Sequence, residues 1–127
     1  MFREILIPTD GSDYSRTALE YGIYIAQRLD ARLTGLHVID IKVLQGPVLN
    51  DIGSAAGLCP GPEFFSVIEK TLEVRADNIL GEFRNRCEAQ GLRPEVKKVT
   101  GIIDEEIIRE GQAADLILLA QRGEHYP

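Results

Sequence analysis

Hydrophobic positions fall along the chain in two rhythms, short unbroken runs and longer stripes at helical spacing. Residues 4–9 (EILIPT) form an apolar run closed by a proline and small polar residues. Such a run suits a central strand covered on both faces better than an edge strand. Asp10-Gly11-Ser12-Asp13 then offers several helix N-caps in succession. Ala18, Leu19, Gly22, Ile25, Ala26 and Leu29 follow on one face at helical spacing. Residues 31–39 (ARLTGLHVI) read as a second strand, so the first forty residues hold one βαβ unit with parallel strands.

Residues 40–62 differ. Gly46, Pro47, Gly53, Gly57, Pro60, Gly61 and Pro62 predict an irregular insertion, either a mobile lid or an ordinary surface excursion. Ile68, Leu72, Ala76, Ile79, Phe83 and Cys87 then mark a long amphipathic helix that closes near Gly91. Residues 94–100 predict a third strand. Residues 104–112 predict a short helix with Ile107 and Ile108 inward, and 115–120 (DLILLA) a fourth, very apolar strand without a following neighbour, an association hazard. The order β-α-β-loop-α-β-α-β predicts an α/β fold, an open doubly wound parallel sheet of Rossmann-like type. Ligands of such sheets bind beyond the carboxyl ends of the strands, where strand order reverses. That places candidate chemistry in residues 8–13, 38–62, 100–101 and 121 onward.

Size and charge narrow the classes. The 127 residues predict one domain, 1–127, interrupted by the insertion at about 40–62. A hydrophobic fraction of 44% with 27% charged residues is that of a folded globular chain. Fourteen basic residues against twenty acidic ones leave a net charge of −6, which argues against nucleic acid and anionic membranes as partners. Cys59 and Cys87 lack metal-site spacing; Cys87 lies on a helical apolar stripe and reads as a buried small hydrophobe, Cys59 as a loop thiol. With no apolar run of transmembrane length and no secretory leader, the expected location is cytoplasmic.

The chemistry-bearing motifs are few. There is no Walker A pattern, no GxGxxG after the first strand, no HExxH, and Gly11-Ser12-Asp13 does not make a nucleophile elbow. His37, inside a strand, reads as a structural histidine; His125 is the other imidazole. The turn Pro8-Thr9-Asp10-Gly11-Ser12 stays open to two readings. Asp10 and Ser12 could simply cap the helix, or Asp10 could accept hydrogen bonds from ribose hydroxyls or an adenine amine beside a closely approaching glycine.

Several segments together resemble the universal stress protein family. They are Pro8-Thr9-Asp10-Gly11-Ser12 after the first strand, Ser15-Arg16-Thr17-Ala18-Leu19 in the helix, and His37-Val38 at the end of the second strand. Val99-Thr100-Gly101, then Glu106-Ile107, then Ala114-Asp115-Leu116-Ile117, continue the likeness. The resemblance implies a stress-response regulatory domain that binds an adenine nucleotide, ATP or AMP, with Mg accompanying ATP. It implies Asp10 at the ribose and adenine, Pro8 and Thr9 lining the pocket, Val38 offering backbone to the adenine, and Leu119 packing near it. The family's phosphate loop, Gly-x2-Gly-x9-Gly-(Ser/Thr), maps its first two glycines onto Ala120 and Gly123, with Arg122 nearby. The sequence stops inside that motif, so the expectation is a truncated or tandem protein, with weak binding in this form; a natural short member is the other reading. A homodimer or tandem-domain partner is implied, and catalysis no stronger than slow ATP hydrolysis. The alternative function is a dimerisation or partner module without nucleotide. An adenylating enzyme is less favoured, because Ser12 stands where its pyrophosphate loop needs a second glycine.

Overall fold

A computed structural model describes residues 3–45 and 62–119. Within them the chain runs β1 (Glu4–Pro8), α1 (Asp13–Leu29), β2 (Arg32–Asp40), α2 (Ile41–Gln45), α3 (Pro62–Ala89), β3 (Glu95–Gly101), α4 (Ile103–Gly111) and β4 (Leu116–Ile117). The four strands form one parallel sheet in the order β3-β2-β1-β4, so strand order reverses beside β1. The expected α/β architecture and the central first strand are both present.

β1 is covered on both faces, which is why its run is apolar without alternation. Ile5, Leu6 and Ile7 are all buried. Ile7 meets α1 at Gly22, while Leu6 and Ile117 meet α4 at Gly111. α3 covers the same face as α1: Phe83 and Cys87 share a core cluster with Ile5, Ile7, Ala18, Leu19, Ala26 and Leu33.

Several boundaries move, each for a local reason. In α1 the buried stripe is Ser15, Ala18, Leu19, Gly22, Ile23 and Ala26, whereas Leu29 is exposed. The helix ends one residue later at Asp30, in the left-handed region (φ 53°). The segment expected to be irregular from residue 40 opens with a short helix, α2, because its Gly and Pro breakers begin only at Gly46. The Asp40 carboxylate starts that helix by accepting the Lys42 N–H at 3.0 Å. The lid reading rests on residues 46–61, outside the described residues, as is Cys59. α3 starts at Pro62, a first-turn proline that loses no helical hydrogen bond. Its fully buried positions are Ala76, Leu80, Phe83 and Cys87, with Ile79 only half-buried. In α4, Ile107 packs inward but Ile108 is 63% exposed, and the buried position goes instead to Glu106. Its side chain lies over Gly101, where a Cβ would stand 2.7 Å from Glu106 Cγ.

The expected six-residue fourth strand pairs over two residues. The Leu118 N–H still reaches the Leu6 carbonyl at 3.0 Å. The next bond of a parallel ladder would need an N–H on Pro8, which proline lacks. Pro8 therefore ends the β1–β4 ladder at the point where strand order reverses.

Candidate functional site

The end of β1 builds a cleft of about 200 Å³ lined by Pro8, Thr9, Asp10, Ser15, Leu36, His37, Val38, Ile103, Ile107 and Leu119. Five of the residues singled out from sequence, Pro8, Thr9, Asp10, Val38 and Leu119, meet there. Ala120, Arg122 and Gly123 lie outside the described residues, as does His125. Sequence reading missed Leu36, Ile103 and Ile107 as walls; the four-residue spacing of the two isoleucines in α4 is the signal that could have found them.

The floor is set by backbone. The Thr9 N–H donates to the Leu36 carbonyl at 2.8 Å, continuing the β1–β2 ladder one step past Pro8. Val38, two residues beyond Leu36, turns its N–H and C=O the same way as Leu36. No β1 partner meets it among the described residues, because the ladder ends at Pro8↔Leu36. The Thr9 carbonyl, the next acceptor in line, instead takes a 2.8 Å hydrogen bond from His37 Nδ1. A carbonyl only accepts, so Nδ1 carries the proton. His37 is thus a satisfied strand histidine that also borders the cleft.

Asp10 sits at the rim. Its Oδ1 accepts the Ser12 N–H at 2.9 Å and the Ser15 hydroxyl at 2.6 Å. Ser12 is the N-cap of α1, its hydroxyl accepting the Ser15 N–H at 3.2 Å. The capping reading of this turn is what these bonds show: Ser12 caps the helix, while Asp10 braces the turn with one oxygen. Desolvation within the turn acts to raise the Asp10 carboxyl, and hydrogen bonds from Ser12, Ser15 and backbone N–H groups outweigh it, leaving the carboxyl below its ordinary range. Asp10 is ionised at neutral pH and carries an acceptor for hydroxyl or amine donors. Among the described residues no group of three or more His, Cys, Asp or Glu is placed to hold a metal ion. Nor is any described helix long and apolar enough to cross a membrane.

An open parallel sheet with helices on both faces and a cleft at the strand-order reversal defines an α/β domain of the doubly wound class. The chain belongs to the universal stress protein family, whose sequence profile matches residues 1–126. Among curated relatives, universal stress protein MJ0531 of Methanocaldococcus jannaschii is 26% identical over 97% of this chain, which spans 66% of that protein's length. Universal stress protein YxiE of Bacillus subtilis is 27% identical over 97% of this chain and 81% of its own length. The solved structure of MJ0577, also from M. jannaschii, superposes with a TM-score of 0.71 at 26% identity, covering 92% of this chain and 73% of that one. A family protein from Arabidopsis thaliana, solved with AMP bound, shares the fold at a TM-score of 0.65 and 18% identity, covering 96% of this chain and 78% of that one. A universal stress protein in complex with cAMP does so at 0.57 and 20%, covering 91% and 70%.

Proposed function

We propose that this chain is a stress-response domain that binds an adenine nucleotide in the cleft at the end of β1. The observation that carries the reading is the meeting of Asp10 and the Val38 backbone, which has no β1 partner among the described residues, across one apolar slot. An adenine ring offers a donor and an acceptor along one edge, which a single backbone N–H and C=O pair complements. Leu36, Ile103, Ile107 and Leu119 supply flat apolar contact for the ring faces, and the Asp10 carboxylate accepts from ribose hydroxyls. At about 200 Å³ the cleft is below the ~300–1,000 Å³ of sites that enclose drug-sized ligands, so it takes the base and part of the sugar. Phosphate contacts fall to Ala120, Arg122 and Gly123, and Mg, where ATP is the ligand, would come with those phosphates. The AMP and cAMP complexes of fold relatives support an adenine nucleotide as the ligand class.

Calorimetric titration with AMP, and with ATP plus Mg, tests this. Binding that weakens about tenfold or more in Asp10→Ala is expected, the scale of a lost hydrogen bond to a charged group. No heat with either nucleotide, and no effect of Asp10→Ala, would replace this reading with a partner-interaction module. Light scattering on the same samples tests the proposed homodimer.

A further inference from the structure

The Ser15 hydroxyl is buried in the first turn of α1 but serves the loop before it rather than the helix. Ser15 is 5% exposed, one of two buried polar or charged residues among the described ones. Its backbone N–H is already satisfied by the N-cap Ser12. A helix residue at this position often reaches back toward the N-cap with a longer side chain. Ser15 instead exchanges two hydrogen bonds with Asp10: its Oγ accepts the Asp10 N–H at 3.1 Å and donates to Asp10 Oδ1 at 2.6 Å. The direction follows from inventory, since an ionised carboxylate donates nothing and a hydroxyl has one proton. With the Ser12 N–H also on Oδ1, that oxygen is committed twice. Both of these short bonds fall on Oδ1, and the Ser12 hydroxyl also favours the ionised carboxylate.

We propose that Ser15 is a positioning residue for Asp10, locking the carboxylate by Oδ1 so that Oδ2 remains as the acceptor offered to the ligand's ribose. The proposal rests on the adenine-nucleotide reading of the cleft. It adds that the acceptor is preset, so that binding does not have to order the carboxylate. The lowered titration of Asp10 agrees with this: desolvation opposes it, but the hydroxyls of Ser12 and then Ser15 favour the ionised form. Several of the described charged groups near the turn are engaged elsewhere. Asp13 and Glu82 hold Arg16, Glu82 also holds Arg86, and the His37 ring is bonded to Thr9. α4 contributes only Ile103 and Ile107 to the cleft.

The test compares the full chain with Ser15→Ala and Ser15→Thr, the latter restoring the hydroxyl. Thermal melting selects conditions in which all three are folded. Carboxyl-carbon NMR follows the Asp10 titration without ligand, and calorimetry follows AMP affinity from about pH 4 to pH 8. Ligand hydroxyls bind the ionised carboxylate, so affinity in the native chain is flat near neutrality and falls only as acid protonates Asp10. In Ser15→Ala the Asp10 titration moves up, the acid loss of affinity begins at higher pH, and AMP binds about tenfold more weakly at neutral pH, on the scale of one charge-assisted hydrogen bond. Ser15→Thr returns all three toward native values. An Asp10 titration identical in native protein and Ser15→Ala overturns the proposal. So does weaker binding in Ser15→Ala with an unmoved pH profile, which would mean general loosening. If the native chain takes no AMP, the nucleotide reading fails by itself, and the ligand-free titration still decides whether Ser15 governs Asp10.

Discussion

Gly35 of β2 lies directly beneath the ring of Phe83 on α3, and a Cβ at Gly35 would stand 2.7 Å from Phe83 Cδ1 and Cε1. This contact sets the height of the long helix above the sheet. Phe83 is 3% exposed and belongs to the central core cluster, so its ring has little room to yield. Gly35→Ala is expected to cost about 1–3 kcal/mol as an overpacked core. Denaturant unfolding measures it, and Phe83→Leu in the Gly35→Ala background should recover part of the loss by making room.

Gly81, also in α3, presents the reverse case. A Cβ there meets nothing within 4 Å, and the residue is well inside the helix. Gly81→Ala should therefore stabilise by about 0.5–1 kcal/mol through helix propensity alone. A melting temperature that fails to rise would show that this face needs its glycine for another contact.

Asp115 clasps the start of the sheet. Its Oδ2 accepts the backbone N–H groups of Arg3 at 2.8 Å and Glu4 at 2.9 Å, 112 and 111 residues away in sequence. These bonds hold its carboxyl below the ordinary range. A carboxyl lowered in the folded state stabilises fully above its unfolded value and loses that contribution as pH falls through the folded value. Acid unfolding should thus be shallower in Asp115→Asn, whose amide oxygen still accepts but does not titrate. Stability curves across the acid range, native against variant, check the difference in slope.

Cys87 is fully buried against the sheet, and burial pushes its thiol up to about 11. The thiolate is the reactive form, so Cys87 should be inert to disulfide reagents while the protein is folded. In a Cys59→Ser background, labelling at mildly alkaline pH should proceed only after denaturant is added. Rapid labelling of the folded variant would place Cys87 near solvent.

The Ser12 cap gives a local prediction. Ser12→Ala removes the acceptor for the Ser15 N–H and should cost about 1 kcal/mol, a typical loss for an N-cap. Ser12→Asp, retaining an acceptor near the positive end of α1, should cost much less. Thermal melts of both variants make the comparison.

Much of this was legible in the residues themselves. Periodicity placed every long element, because an unbroken run such as Ile5-Leu6-Ile7 has one stable use, a strand covered on both faces. The proline and small polar residues after it placed the turn, and the family likeness placed Asp10 and Val38 on the same side. Less legible was anything that depends on which way a stripe rotates. Ile79 and Ile108 carry as much apolar surface as Leu80, yet they face halfway or outward, because helices settle by the contacts at Gly35 and Gly101 rather than by composition. Glu106, a carboxylate under cover, runs against the residue type altogether; Arg109 satisfies it with bonds of 2.7 and 2.8 Å.

By itself, then, the sequence determined the class of fold, the order of its elements and the loop that matters, since these follow from local periodicity, turn chemistry and the handedness of βαβ units. Tertiary structure alone decided the cleft. Leu36, Ile103 and Ile107 become walls only once α4 crosses the sheet, and Val38 lacks a β1 partner because the strand ends there and His37 takes the Thr9 carbonyl. The contact between Ser15 and Asp10 was also decided in space. A serine in a first helical turn is ordinary until Asp10, five residues earlier, folds back to within 2.6 Å of its hydroxyl.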